Sequence, residues 1–286
     1  MRRLYAQFLF REASWDDVVA CFAQGSQLEW RNWFEQWIGR PGALQLSAAL
    51  KDETGASPQL VLSQEEPYFD VDVPVRVKGQ EGSTMHSVHL SGASATLNLD
   101  PSARVIEVDP NCDLFRRLKR AEIPPALSQT LGAERSVVVI GSDTDAKMAE
   151  ALRALAADWA KNQDMLVVGE NEFEDDGQRS VWLLGEGALA RKILAESRAY
   201  GDQPQVLWDE AESSGKSLVL TLRDPKNESR SWSLLLVAKP QLVAAVGAKL
   251  THYGRYSYLE FDGEKNVQKG SFTVESSPLR LLREAK

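Results

Sequence analysis

Cysteine is nearly missing from this 286-residue chain: only Cys21 and Cys112 occur, far apart and without C-x-x-C spacing. That argues against a disulfide framework and against a cysteine-based metal or redox site. Histidine is almost as scarce, with His86, His89 and His252 alone. No apolar run approaches the roughly 20 residues needed to cross a bilayer, so no membrane insertion is expected. Arg2 and Arg3 follow Met1 as in a signal peptide, but Gln7, Arg11 and Glu12 break the apolar run behind them. The expected protein is soluble, cytoplasmic or periplasmic. Basic residues form no stripe and the formal charge is −8, so nucleic acid and anionic membrane surfaces are not expected partners. Internal repeats and low-complexity tracts are also missing.

With 43% apolar and 26% charged residues, the chain has the composition of a globular protein long enough for more than one domain. Residues 1–41 read as a helical segment. Ser14 is the expected N-cap, with Asp17 three residues on, and Trp30, Trp33, Phe34, Trp37 and Ile38 recur at helical spacing before Gly39-Arg40-Pro41-Gly42. Such an aromatic face has to be covered by something.

From 42 to 110 the period becomes two. "LQLSAAL", "LVLSQ", "FDVDVPVRV", "HSVHL", "ATLNL" and "RVIEVD" alternate apolar and polar residues, and "DETGAS" and "KGQEGS" supply turns. Six short strands predict an antiparallel β-sandwich. Residues 111–134 form a connector in which Pro124-Pro125 blocks helix continuation. From 135 to 286 strands and helices alternate: "SVVVI", "AKMAEALRALAADWAKN", "MLVVG", "SVWLLG", "ALARKILAESRAY", a short strand "QVLW", then a hairpin from "KSLVLTLRD" and "SWSLLLVA". This predicts a three-layer α/β domain with a mostly parallel sheet and an antiparallel edge. "SSPLRLLREAK" reads as a polar-ended extension. The fold class is therefore α+β multidomain.

The segments "LEWRNWFEQWIGRPGA", "PYFDVDVPVRV" and "VIEVDPNCDLFRRLKRAEIPP" together resemble the membrane alanyl aminopeptidase family, zinc-dependent gluzincin metallopeptidases of bacteria. In that family a sequence like F-F-x-Q-W-x-x-x-P-G closes the catalytic domain and an immunoglobulin-like sandwich follows. The resemblance covers roughly the first 45% of the chain. It implies a C-terminal, non-catalytic region whose partners are a missing N-terminal catalytic domain and, through it, a peptide substrate. The zinc motif H-E-x-x-H needs two imidazoles one helical turn apart and a glutamate base, and no histidine here stands in that pattern. Zinc is thus expected only in the missing domain, with no cofactor, no metal and no catalytic residue in this chain.

Four residues are cofactor-binding candidates. Gly185-x-Gly187-x-x-Ala190 follows a strand and opens a helix, with Asp209 or Glu210 expected at the end of the next strand, which outlines a dinucleotide fingerprint. Glu186 puts a carboxylate inside that loop, and a structural turn is the plainer reading. Asp143 and Asp145 in "IGSDTDAK" stand where open α/β sheets place sites and carry oxygens for a hard cation, but a Ser142–Asp145 capping box is the plainer reading. His86 and His89 are three apart in a strand and face opposite sides. His252, Tyr253, Arg255, Tyr256 and Tyr258 offer a groove for carbohydrate or peptide, against which stands ordinary aromatic packing. A small-molecule or nucleotide module, or a protein-interaction platform, is the alternative to a bracing role.

Overall fold

The computed structural model describes residues 2–24, 30–51, 57–80, 82–162, 164–274 and 277–283. It is an α+β protein of two compact units, Met1–Leu118 with Pro278–Lys286, and Lys119–Ser277. The division falls inside the expected connector. The chain returns to the first unit at its end, so the tail is more than an extension: Arg280–Leu282 is a strand paired with Val105–Val108.

In the first unit, α1 (Arg2–Phe8), α2 (Trp15–Ala23) and α3 (Trp30–Phe34) precede the strands. Ser14 caps α2 as its sequence predicts: its hydroxyl accepts from the Asp17 amide at 3.2 Å, and the Asp17 carboxylate accepts from the Ser14 amide at 2.9 Å. Beyond α3 the helix widens into a π turn, Glu35–Gly39, which changes the angular step and splits the aromatic stripe. Phe22, Trp30, Trp33 and Phe34 gather with centroids 5.3–5.8 Å apart along the series. Trp37 turns instead to Phe69 at 4.8 Å and Phe115 at 6.2 Å.

Six strands follow: β1 (Leu46–Lys51), β2 (Gln59–Gln64), β3 (Val71–Gly79), β4 (Gly82–Leu90), β5 (Ser94–Asn98) and β6 (Val105–Val108). They form two antiparallel sheets, ordered β1-β2-β5 and β14-β6-β3-β4, where β14 is Arg280–Leu282. The period-two pattern is realised directly, since Val73, Val75 and Val77 on β3 and Leu60 and Leu62 on β2 are buried while their neighbours face outward. A single apolar cluster draws Leu46, Leu60 and Leu62 from one sheet and Val73, Val75, Leu90 and Ile106 from the other.

The second unit is built on seven strands. They are β7 (Arg135–Ile140), β8 (Asp164–Gly169), β9 (Ser180–Leu184), β10 (Ser217–Arg223), β11 (Ser231–Leu236), β12 (Tyr258–Asp262) and β13 (Lys265–Gly270). Their order is β13-β12-β10-β11-β9-β7-β8. Pairings β7–β8, β7–β9 and β9–β11 are parallel, whereas β11–β10, β10–β12 and β12–β13 are antiparallel. The sheet is therefore mixed and only partly parallel, not mostly parallel. The hairpins β10–β11 and β12–β13 turn back through short loops, and a short loop can return a strand only antiparallel.

Five helices accompany this sheet: α4 (Leu127–Leu131), α5 (Ala146–Trp159), α6 (Ala188–Glu196), α7 (Gln203–Ser214) and α8 (Val243–Lys249). Val138 and Ile140 join one apolar cluster with residues of α4, α5 and α8. Val137 and Val139 join another with residues of α6 and α7. Near-continuous apolar strands thus have both faces buried. "QVLW", expected as a strand, lies inside α7. Pro204 stands in its first turn, Gly215 ends it at φ 66°, and Pro204, Leu207, Trp208 and Ala211 are its buried residues. That spacing is helical, and the three apolar residues of "QVLW" alone are too few to set the period.

A chain of hydroxyls is buried between α4 and the sheet. Thr130 Oγ1 lies 2.7 Å from both Ser231 Oγ and Ser233 Oγ, and Ser233 Oγ lies 2.9 Å from Thr221 Oγ1. Each polar group finds its partner in the row, as burial demands.

Candidate functional site

The carboxyl ends of β7 and β9 lie side by side, and the loops that follow open α5 and α6. Crevices of this kind are the usual ligand position in open α/β sheets. The structure brings all four sequence candidates, Gly185, Gly187, Asp143 and Asp145, into this one place.

What fills the crevice comes from the protein itself. Glu170, in the single turn after β8, accepts from the Ser142 amide at 2.7 Å through Oε2 and from the Leu189 amide at 2.5 Å through Oε1. Leu189 is in the first turn of α6, so a carboxylate already rests on the amides and positive dipole end that a phosphate would use. The two loops are also joined to each other. The Asp143 amide donates to the Glu186 carbonyl at 3.0 Å, and Thr144 Oγ1 accepts from the Glu186 amide at 3.0 Å. The glycines serve this closeness. A Cβ on Gly187 would stand 1.9 Å from Glu170 Oε2, and one on Gly185, where φ is 85°, would stand 2.2 Å from Thr144 Oγ1.

Three carboxylates around the crevice, Glu170, Asp143 and Asp145, are engaged within the protein. Asp145 is the N-cap of α5, accepting from Lys147 and Met148 amides at 3.0 and 3.2 Å. The capping residue is Asp145 itself, while Ser142 Oγ donates to Asp143 at 3.1 Å. Arg191 bonds Asp143 at 2.5 Å, and this contact, aided by the Ser142 hydroxyl, holds the Asp143 carboxyl below the usual range. Glu186 is pushed up instead, by burial first and then by the negative charges of Glu212 and Asp143. Asp209 and Glu210 lie within α7, not at a strand end, and Asp209 accepts from Gln205 at 2.7 Å. Among the described residues no group of three or more His, Cys, Asp or Glu is placed to hold a metal.

The remaining candidates are dispersed. His89 Nδ1 lies 3.1 Å from Asp72 and its Nε2 3.5 Å from Asp70, with His86 further along the strand, opposite Val75. Tyr253 packs on Tyr256 and edge-on to Phe261, Arg255 donates to the Tyr256 hydroxyl at 2.6 Å, and Tyr258 turns to Phe272. Cys21 and Cys112 are both free.

Sequence reasoning missed a large cleft, which belongs to the first unit. About 600 Å³ in volume, it is lined by Trp33, Trp37, Ile38, Val71, Leu114 and Phe115 together with the carboxylates of Asp70, Asp72 and Asp113. Its walls are pinned. Gln36 pairs reciprocally with the Asp70 backbone, at 3.0 Å to the carbonyl and 2.7 Å from the amide. Gln64 clamps Phe69 in the same reciprocal way at 2.8 Å each, and the Arg40 guanidinium stands 4.3 Å over the Phe69 ring. Opposite, buried Asp109 accepts from the amides of Asp113 and Leu114 at 2.8 and 3.3 Å and from Arg116 Nε at 2.6 Å. A strand, a π turn and a connector distant in sequence meet here, and only the "WFEQWIG" stripe hinted at it.

No protein-family model matches the chain, and no curated protein matches it. Among the described residues no helix is long and apolar enough to cross a membrane.

Proposed function

We propose that the chain is the non-catalytic region of an aminopeptidase-like metallopeptidase, and that its N-terminal helices and antiparallel sheets brace a catalytic domain. The zinc and the peptide substrate belong to that domain, and the seven-stranded unit contributes packing or shapes access. On this reading the two antiparallel sheets over one core are an immunoglobulin-like sandwich. The seven-stranded sheet with a helical cluster on each face is a three-layer α/β domain.

The observation that carries the reading is the aromatic surface of the helical segment: Phe10 is 99% exposed and Trp15 63%, on the segment that in the resembling family closes the catalytic domain. Rings this large gain free energy by being covered. The seven-stranded unit favours scaffolding over nucleotide binding, because a nucleotide at Gly185 and Gly187 would have to displace Glu170 from the Ser142 and Leu189 amides.

The test is to sequence the reading frame upstream of Met1, express any in-frame H-E-x-x-H segment separately, and titrate it with this chain. Association weakened about tenfold by Phe10→Ala with Trp15→Ala is the expected result. An upstream frame without the zinc motif, or zinc-dependent cleavage of an aminoacyl anilide by this chain alone, would overturn the reading. A thermal-shift screen with nucleotides, divalent cations and sugars addresses the small-molecule alternative, since a native-state ligand raises Tm by mass action.

A further inference from the structure

The cleft of the first unit is lined by rings and carboxylates, and its described lining includes no lysine or arginine. We propose that it seats the side chain of an arginine carried by a partner polypeptide. Its volume of about 600 Å³ lies within the range of built ligand sites. Purely apolar occupants would make no use of Asp70, Asp72 and Asp113, which line the cleft beside the rings. Anions are repelled by these carboxylates, and a bare divalent cation would have no use for Trp33, Trp37 and Phe115. One chemistry uses both parts of the lining: a planar, weakly hydrated cation that stacks on aromatic faces and pairs with carboxylates.

Asp70 and Asp72 each approach the same His89 ring through one oxygen, at 3.5 and 3.1 Å, which gathers the two carboxylates in one place, and an incoming guanidinium would share them with that ring. Phe115 is 66% exposed and Trp33 48%, so ring surface is open to a cation without repacking. The three walls are held by Gln36, Gln64 and Asp109 through bonds that do not involve the lining carboxylates. A site held in this way loses little freedom on binding. The inference is independent of the bracing role, whose test residues Phe10 and Trp15 lie outside the cleft.

Calorimetric titration of the full chain with acetyl-Ala-Arg-Ala-amide tests it, against the same peptide with citrulline, which keeps the shape and removes the charge. The expected result is a Kd on the order of 0.1–1 mM for the arginine peptide, with citrulline weaker by about tenfold. Free arginine amide should bind more weakly than the peptide if a polypeptide is the natural source. The triple variant Asp70→Asn, Asp72→Asn, Asp113→Asn should lose the binding. Phe115→Ala, at an exposed position that spares folding, should weaken it severalfold. Equal heats for arginine and citrulline, no heat up to about 10 mM, free arginine amide matching the peptide, or full binding by Phe115→Ala would overturn the proposal.

Discussion

Glu170 accepts a hydrogen bond from the Leu189 amide at 2.5 Å, so a side chain 19 residues upstream caps helix α6. Gly187, at the N-cap position, offers no side chain of its own. An N-cap is typically worth about 1 kcal/mol, and a carboxylate at the positive end of a helix adds a few tenths more. Glu170→Ala should therefore destabilise the second unit by about 1–2 kcal/mol, with Glu170→Gln losing less because it keeps an acceptor. Hydrogen exchange at Leu189 and Ser142 is the direct check, and unchanged exchange in Glu170→Ala would contradict the capping role.

Gly187→Ala tests the same contact from the other side. Its φ is 178°, an extended value open to any residue, so the cost is steric: the new methyl meets Glu170 Oε2 at 1.9 Å and the Ser142 amide at 3.0 Å. About 1–3 kcal/mol is expected, the range for overpacking. In the Glu170→Ala background the same substitution should cost clearly less, because the clashing oxygen is gone. A double-mutant cycle by chemical denaturation that finds the two effects additive would mean the loop gives way elsewhere.

Glu186 supplies a pH test. Its folded pKa is raised by burial and by Glu212 and Asp143, so the folded state binds its proton more tightly than the unfolded chain. Its contribution is fully present below the ordinary glutamate pKa and declines as pH rises through the raised value. Glu186→Gln should consequently raise Tm at pH 7 by about 1–2 °C, the size expected for a partly exposed charge. At about pH 3.5, below the ordinary glutamate value, the gain should vanish. A gain that persists there would assign the effect to packing.

How much of the fold and the crevice was legible in the sequence depended on how far apart the partners lie. Ser14 with Asp17, or Val73, Val75 and Val77, are neighbours within one element, and period and spacing alone are enough to place them. Gly185 and Gly187 could be singled out by pattern, but their purpose depends on Glu170 and Thr144, which come from other loops. The cleft was illegible for the same reason. Trp37 looked like part of one helical stripe, and the π turn at Glu35–Gly39 sent it to Phe69 and Phe115. Hydrophobic period also failed over "QVLW", where Pro204 and Gly215 were the better guides.

Asp109 is the residue on which the connector wall depends, and two substitutions separate its roles. Its side chain is fully buried with Arg116 at 2% exposure, and its backbone is left-handed at φ 49°, which aspartate and asparagine tolerate better than other non-glycine residues. Asp109→Asn keeps the backbone tolerance and an acceptor for the Asp113 and Leu114 amides, and removes the charge facing Arg116 together with the oxygen that accepts from its Nε. Taking the carboxylate from a buried pair costs about 3 kcal/mol or more. Asp109→Ala removes the charge, the one oxygen that accepts from both amides and the backbone tolerance, so it should cost about 1–3 kcal/mol beyond the asparagine variant. Two compact units do not guarantee one unfolding transition, so the readout is hydrogen exchange at β3 and β6 for stability and at Asp113 and Leu114 for the wall. Faster exchange at those two amides in the alanine variant, with near-normal exchange in asparagine after allowing for the stability change, is the expected outcome. Equal acceleration in both would show that the charge pair with Arg116, not the amide bonds, holds the Asp113–Phe115 side of the cleft.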